Sequence, residues 1–120
     1  MPKAILFHNP RCSKSRQALE YMQQQHANIE LDVIEYLKQP PSLDELESLF
    51  NALNIESAHT MIRPKEKEYH EAGLNKNASN ESVLEAISNY PKLLERPIVS
   101  FEGKAAIGRP LSNIEALMNV

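Results

Sequence analysis

Cysteine, tryptophan and long apolar runs are scarce in this sequence, and each scarcity narrows the range of possible functions. The 120 residues include one cysteine, no tryptophan and three glycines. One cysteine excludes an internal disulfide and argues against a zinc site, which takes several cysteine or histidine ligands. No segment approaches the roughly 20 apolar residues that span a bilayer, and the apolar stretch after Met1 is too short for a signal peptide. We therefore expect a cytoplasmic protein with no membrane partner.

An excess of positive charge is missing as well. The 13 lysines and arginines are outnumbered by 16 acidic residues, for a formal net charge of -3, which removes the bulk electrostatic basis for a nucleic-acid partner. His26, His59 and His70 have no acidic or cysteine cluster at ligand spacing. We interpret them as surface residues and predict neither a metal nor a tightly bound cofactor. With 42% hydrophobic residues, no repeats and no long linker, residues 1–120 are predicted to form one domain.

The reactive chemistry of the chain is concentrated around Cys12. The apolar run at residues 4–7 predicts a buried strand, which ends at Pro10 because proline cannot continue a ladder. A helical pattern follows, so Cys12 is predicted to lie at a helix N-terminus, where unpaired N–H groups and the helix dipole favour a thiolate. Further positive charge comes from three neighbours, Arg11, Lys14 and Arg16. The alternative is an inert buried thiol, but such a thiol normally has apolar neighbours, so we predict that Cys12 is a nucleophile.

Three arginines share one local setting, because each of them precedes a proline. They are Arg63, Arg96 and Arg109. The proline restricts the arginine before it to extended backbone, which fixes where the side chain leaves the chain. Guanidinium groups bind tetrahedral oxyanions through paired hydrogen bonds. Each pair alone is compatible with a surface arginine beside a routine proline turn, but three pairs together with a basic cysteine loop predict an oxyanion site.

His8 and Ser15 lie on either side of the cysteine in sequence. His8 follows the predicted strand, where a protonated ring would stabilise a thiolate and a neutral ring could accept its proton. A core histidine with no catalytic role is the alternative. Ser15 comes three residues after Cys12, one helical turn on, so its hydroxyl can point at the sulfur. The alternative here is an ordinary first-turn serine.

The order of the predicted elements indicates an α/β fold. The helix after Cys12 should run to about Gln25, and residues 29–37 show the partial alternation of a second buried strand, parallel to the first across a helical crossover. Residues 42–90 are mainly helical. A β-hairpin follows, with strands at residues 98–101 and 104–107, and a final helix closes the chain. A βαβ unit followed by ββα is the thioredoxin-like order, here with a helical insertion between the second and third strands.

Sequence signals also place three helix starts within this order. Ser42 and Glu45 form the pattern of a capping box, in which each side chain bonds the backbone of the other. Ser112 and Glu115 repeat that pattern before the final helix. Pro64 suits a first helical position, so we predict a short helix over residues 65–72.

Four motifs give the chain a resemblance to a known family over nearly its whole length. The sequence resembles the glutaredoxin-linked, ArsC-type arsenate reductases. The motifs are His8-Asn9-Pro10-Arg11-Cys12-Ser13-Lys14-Ser15-Arg16, Met61-Ile62-Arg63, Glu95-Arg96-Pro97-Ile98-Val99 and Ile107-Gly108-Arg109-Pro110. The resemblance implies a glutaredoxin-like fold with a cis Arg96–Pro97 bond facing the nucleophile. It also implies that His8 and Ser15 help to hold the Cys12 thiolate.

The resemblance further implies an activity. Cys12 would form a covalent adduct with arsenate, which the three proline-linked arginines, Arg11 and Lys14 would bind. Glutathione, as external reductant, and a glutaredoxin would then release arsenite. Ser13 and Lys14 stand where the arsenate reducers resembled here tend to carry glycine and threonine. Lys14 thereby adds a charge at the mouth of the site that bears on the choice of substrate.

Two other functions remain open from the residues. A glutathione-dependent thiol reductase without arsenate activity would need the same nucleophile. A transcription regulator similar to the Spx-type proteins, which share the fold and bind RNA polymerase, would typically carry a C-x-x-C redox switch. Ser15 replaces the second cysteine of that switch, which disfavours the regulator.

Overall fold

The apolar run near the start of the chain forms an inner strand of a four-stranded mixed sheet. A computed structural model describes residues 2–119, and in it the strands lie in the order β2-β1-β3-β4. The strands are β1 (Lys3–His8), β2 (Glu30–Glu35), β3 (Ile98–Phe101) and β4 (Lys104–Ile107). β1 pairs in parallel with β2, whereas β3 is antiparallel to both β1 and β4. The predicted crossover and hairpin are therefore both confirmed.

Helices cover both faces of the sheet. They are α1 (Ser13–Gln25), α2 (Leu43–Leu53), α3 (Lys67–Glu71), α4 (Asn80–Asn89) and α5 (Ser112–Met118), with short 3-10 helices at Ala58–Met61 and Pro91–Leu93. Leu6 and Val99 pack against α1 and α5 on one face, while Phe7 and Ile98 pack against α2, α4 and the 3-10 helices on the other. Because side chains alternate along a strand, a sheet with two covered faces needs the continuous apolar run seen in β1. None of the helices described is long and apolar enough to cross a membrane.

The helical insertion lies where it was predicted, between β2 and β3, and completes a thioredoxin-like fold. The Ser42 capping box is present, since Ser42 Oγ accepts from Glu45 N at 3.1 Å and Glu45 Oε1 accepts from Ser42 N at 3.1 Å. Asn54 ends α2 in the left-handed conformation, with φ of 55°. The insertion ends at an isolated bridge between Ile62 and Leu94, which brings the segment around Arg63 beside the start of β3.

β2 differs from the buried strand that the alternation predicted. It lies at the edge of the sheet, paired only with β1, and the Val33 side chain is 37% exposed. An edge strand of this fold lacks a covering neighbour on one side, so its apolar residues are only partly enclosed. Tyr36, just beyond the strand, is by contrast buried against the helical insertion.

Two predicted helix starts are wrong. Residues 63–66 form a turn closed by Glu66 N donating to Arg63 O at 3.2 Å, so α3 begins at Lys67 instead of beside Pro64. α5 begins at Ser112 itself, with Leu111 as N-cap and no capping side chain, so the second capping box does not form. The turn at Pro110 starts the helix one residue early, because Asn113 N already donates to Pro110 O at 3.0 Å.

Candidate active site

Cys12 is the N-cap residue of α1, as the sequence predicted. Its backbone is extended, with φ of -96° and ψ of 122°, and Cys12 N donates to Asn9 O at 3.0 Å. The side chain is 8% exposed and makes no capping bond, so the sulfur lies at the end of the helix where the first-turn N–H groups lack intrahelical acceptors. These groups and the positive end of the helix dipole favour negative charge at this position.

The guanidinium of Arg109 reaches the sulfur directly. Arg109 Nη2 lies 3.4 Å from Cys12 Sγ, and Arg109 Nε donates to the Arg96 carbonyl at 2.7 Å. The Arg96–Pro97 bond is cis, as predicted, and the Arg109–Pro110 bond is cis as well. The β3–β4 hairpin thus brings Arg96, at its start, together with Arg109, at its end. Arg109 is the one of the two whose contact with the Cys12 sulfur is seen.

Two nitrogens of the Arg96 side chain have no partner among the residues that the structure describes. Its Nε and Nη1 atoms are both buried, and neither has a hydrogen-bond acceptor within residues 2–119. A buried donor without an acceptor costs free energy, and a charged one costs more. An anion bound at this point would supply the missing acceptors. Arg96 is therefore the strongest structural indication of an oxyanion site.

Arg63 is placed at the site by the helical insertion and is held by carboxylates. Its backbone N donates to Leu93 O at 2.8 Å. Its guanidinium forms an ion pair with Glu66 through Nη1, and its Nε lies 3.9 Å from Glu95 Oε1. Lys92 extends this group, with Nζ 3.6 Å from Glu66 Oε1. The positive charge of Arg63 is thus offset by carboxylates on two sides.

Glu95 is a component of the site that our sequence analysis did not assign a role. Its Oε1 atom accepts from Arg96 N at 3.1 Å and lies 3.3 Å from Arg109 Nε as well as close to Arg63. Burial raises the pKa of this carboxyl, while Arg109 and Arg63 oppose the rise. An acidic residue directly before an Arg-Pro pair was the available sequence signal.

His8 and Ser15 bond to each other at the end of β1. His8 Nδ1 lies 2.7 Å from Ser15 Oγ, which also accepts from Asn9 N at 3.0 Å. Burial lowers the pKa of His8, Glu35 opposes this, and Arg16 adds to it, so the ring is neutral at neutral pH. The Ser15 hydroxyl that was predicted to point at the sulfur therefore has the His8 ring and the Asn9 amide as its partners. In this geometry both residues shape the loop that carries Cys12.

Tyr36 is a second residue that sequence reasoning missed. It is 1% exposed, and burial raises its pKa to about 12, against the lowering effects of a hydrogen bond with Asn9 and of the nearby Arg63 charge. The Cys12 and Glu95 charges contribute to the same rise. The phenol therefore stays protonated at neutral pH and provides a hydrogen-bond donor on the inner side of the site. Its position just after β2 was the only signal in the sequence.

The remaining predicted cations lie at the rim. Arg11 and Lys14 are exposed beside Cys12. Arg16 Nη1 donates to Pro10 O at 2.9 Å and so fastens the loop. No group of three or more potential ligands that could hold a metal ion occurs within residues 2–119. The arrangement is a thiol at a helix N-terminus facing arginines, which suits nucleophilic attack on a bound oxyanion.

Comparisons with known proteins agree with this geometry. A family model for the ArsC family matches residues 7–117. The chain belongs to the ArsC family. An arsenate reductase of Neisseria meningitidis serogroup A is 51% identical over 119 residues, which cover 98% of this chain and 100% of that protein. The uncharacterised protein YfgD of Escherichia coli K12 is 42% identical over 106 residues, which cover 88% of this chain and 87% of that protein.

The structure also matches solved members of the family. The arsenate reductase from Vibrio cholerae superposes with a TM-score of 0.86 at 38% identity, covering 95% of this chain and 97% of that one. The resemblance given by the four motifs and the thioredoxin-like fold are therefore confirmed. In this ArsC-family chain, Cys12 and the three proline-linked arginines converge on one end of the sheet, with Arg11 and Lys14 beside them.

Proposed function

We propose that this protein is an arsenate reductase in which Cys12 attacks the arsenic of bound arsenate. The observation that carries the proposal is the pair of buried Arg96 nitrogens, Nε and Nη1, that lack an acceptor, on a residue whose backbone carbonyl holds the Arg109 guanidinium that contacts Cys12 Sγ. A tetrahedral oxyanion would satisfy both groups and bring its central atom near the sulfur. Relatives named arsenate reductases, one of them 51% identical, support arsenic as that central atom.

The reaction needs two electrons, and the chain offers one sulfur nucleophile. The Cys12 thiolate displaces one oxygen of arsenate as water, and the S–As bond forms without a change of oxidation state. A glutathione thiolate displaces a second oxygen as water. A third thiol then attacks the glutathione sulfur, and the electron pair of the As–S bond that breaks stays on arsenic and reduces As(V) to As(III). Hydrolysis of the Cys12–As bond releases arsenite and restores the thiol.

The third thiol belongs to a partner in this scheme. Serine cannot form a disulfide, so Ser15 gives no internal route by which Cys12 could be resolved. A glutaredoxin, which accepts glutathione as a mixed disulfide, is the partner that fits. The scheme requires a reducing thiol pool, as in the cytoplasm, and no tightly bound cofactor. Arsenate, glutathione and glutaredoxin are thus the three species that we propose to meet at this site.

The chain's other polar groups have supporting roles in this scheme. Neutral His8 and Ser15 hold the loop so that Sγ faces Arg109. The protonated Tyr36 phenol provides a donor near the developing charge. Arg11 and Lys14, both exposed, draw the anion towards the opening of the site.

The test is reduction of arsenate by the purified protein with glutathione and glutaredoxin, compared with thioredoxin and thioredoxin reductase without glutathione. We expect arsenite to form only in the first mixture. Full activity in the second mixture would contradict the proposed thiol route. The Cys12→Ser variant is the matched control, because it removes the chain's only thiol and should form no arsenite in either mixture.

A glutathione-dependent thiol reductase is a second candidate, favoured by one observation. Carboxylates already offset the charges of Arg63 and Arg109, which leaves one guanidinium, on Arg96, without an acceptor among the described residues. One free guanidinium suits a single carboxylate, such as those of glutathione. Turnover of a glutathione mixed disulfide together with no arsenite formation, while Cys12 remains readily alkylated, would favour this function over arsenate reduction.

A further inference from the structure

Glu95 is the only group described at the site that contacts all three proline-linked arginines. Each contact uses the same atom, Oε1. This oxygen accepts a hydrogen bond from the backbone N of Arg96 and lies 3.3 Å from Arg109 Nε and 3.9 Å from Arg63 Nε. The three arginines come from different parts of the fold, since Arg63 follows a 3-10 helix, Arg96 precedes β3 and Arg109 follows β4. One carboxylate oxygen therefore ties these parts together.

We propose that Glu95 is a positioning residue that holds Arg63 and Arg109 for the oxyanion and, through its charge, makes the site prefer singly charged over doubly charged anions. The inference rests on the proposed function, because it takes the arginines as the oxyanion site. For arsenate it assigns the dihydrogen arsenate monoanion, in place of the hydrogen arsenate dianion, as the species bound by the resting enzyme.

The positioning part follows from where the hydrogen bonds go. Arg109 Nε is shared by Glu95 and the Arg96 carbonyl, which leaves Nη2 directed at Cys12 Sγ. Arg63 is likewise held through Nε by Glu95 and through Nη1 by Glu66. Long arginine side chains lose much rotational freedom on binding an anion, and a carboxylate that fixes them beforehand reduces that loss.

The selectivity part follows from the charges. Glu66 and Glu95 lie against two of the three guanidinium groups, with Lys92 also beside Glu66, so the net positive charge that faces an anion is lower than that of three arginines alone. The carboxylate of Glu95, with 23% of its side chain exposed, is screened only in part by water. Because Coulomb repulsion is proportional to charge, Glu95 opposes a bound dianion twice as strongly as a monoanion.

The groups that face Glu95 also influence how readily its carboxylate takes up a proton. They are the Arg63, Arg96 and Arg109 residues and the Tyr36 phenol. Burial already raises the pKa of Glu95, so a second anion among the arginines would favour proton uptake by this carboxyl. The site then accepts a dianion mainly where Glu95 is neutral, which agrees with the proposed preference.

The experiment measures binding of sulfate and perchlorate by titration calorimetry at pH 7.5 and constant ionic strength. Both anions are tetrahedral, but sulfate is a dianion and perchlorate a monoanion. Glu95→Gln keeps an oxygen acceptor for the arginines and removes the charge. We expect it to tighten sulfate relative to perchlorate by about tenfold or more. Glu47→Gln, at an exposed position of α2, makes the same change in net charge away from the site and should leave the ratio unchanged.

The Glu95→Ala variant distinguishes the effect of Glu95 on the position of the arginines from the effect of its charge. It removes the charge but also the common acceptor of Arg63 and Arg109, so its sulfate affinity should fall about tenfold below that of Glu95→Gln. Equal sulfate affinity in the two variants, or a sulfate-to-perchlorate ratio that is the same in Glu95→Gln as in the wild type, would overturn the inference while the oxyanion site stands. If neither the wild type nor Glu95→Gln binds sulfate or arsenate, the proposed function fails with it.

Discussion

The loop that carries Cys12 and the arginine side of the site differ in the range of the contacts that hold them. In the loop, the bonds of Ser15 with His8 and of Arg16 with Pro10 join residues at most seven positions apart. On the arginine side, Arg109 meets a residue 97 positions away when it reaches Cys12. The nucleophile is therefore built by local structure, whereas its anion-binding partners depend on the whole fold.

This difference has a consequence for which mutations affect which property. The loop can be altered at one residue and lose its nucleophile or its shape without disturbing the distant ion pairs. The arginine side joins the helical insertion to the β3–β4 hairpin, so that a change there acts on substrate binding and on the contacts between these segments together. Substitutions on the two sides should thus be separable by measuring activity, anion affinity and stability in parallel.

The largest effect is expected from Cys12→Ser, which removes the proposed nucleophile from the loop. Because no other thiol is available to attack arsenic, arsenate reduction should fall by at least about 10⁴-fold. The free energy of unfolding should change little, since the two side chains are similar in size and the N-cap position favours serine. Coupled arsenite production and urea unfolding measure the two quantities. Substantial residual reduction would contradict the assignment of Cys12 as nucleophile.

The next largest effect is expected from Arg96→Ala on the other side. Loss of the guanidinium that lacks an acceptor should weaken arsenate or sulfate binding by about 100-fold, with no loss of stability, because no internal partner is abandoned. Arg63→Ala is the matched comparison. It leaves Glu66 with Lys92 and Glu95 with Arg109 as their remaining counter-charges, and it should cost about 1 kcal/mol of stability as well as affinity. Calorimetry and urea unfolding would show the contrast, and equal stability losses would contradict it.

A smaller effect, on stability, is expected from Ser15→Ala in the loop. The substitution leaves the buried His8 ring and the Asn9 amide without their shared partner, which should cost about 1–3 kcal/mol. Ser13→Ala, at an exposed position of the same helix turn, should change stability by no more than about 0.5 kcal/mol. Urea unfolding of both variants is the measurement. Equal effects would mean that the bond between His8 and Ser15 does not hold the loop.

The same difference in range explains how much the sequence could predict. Cys12 at the start of α1, the insertion and the hairpin all follow from signals within a few residues, such as periodicity, proline and turn chemistry. The roles of Glu95 and Tyr36 could not be predicted in this way. Each depends on which distant segments the fold brings together, and a single sequence contains no information about such pairs beyond the residue types.

The errors within the fold have the same origin. The alternation in residues 29–37 correctly indicated a strand, but whether it is central or at an edge depends on the strand order, which is decided by β3 pairing with the other side of β1. Ser112 and Glu115 match the sequence pattern of a capping box, but the box does not form. The turn at Pro110, which follows β4, makes Ser112 the first residue of the helix instead of its N-cap. Local patterns are thus overridden where a long-range contact fixes the backbone first.

The smallest effect we expect concerns how stability depends on pH. The contribution of His8, on the loop side, and that of Glu95, on the arginine side, should change in opposite directions with pH. The pKa of His8 is lowered in the folded protein, so the unfolded chain takes up the proton first. The stability that neutral His8 contributes is complete above its ordinary pKa of about 6.5 and is lost as the pH falls below that value. The pKa of Glu95 is raised, so the folded protein holds this proton more tightly, and this stability is complete below the carboxyl's ordinary pKa and is lost as the pH rises from there through the raised value.

Lowering the pH from 7.5 to 5 should therefore weaken the loop side and strengthen the arginine side. In urea unfolding at the two pH values, His8→Asn should reduce the loss of stability on acidification, whereas Glu95→Gln should increase it. Each change should be a fraction of the Ser15→Ala effect, because neighbouring charges oppose each shift, Glu35 that of His8 and Arg109 and Arg63 that of Glu95. His70→Gln, at an exposed position of α3, is the control for removing a histidine away from the site. Changes of the same sign in the His8 and Glu95 variants would contradict opposite protonation on the two sides, and the neutral form of His8 beside Cys12 would then have to be abandoned.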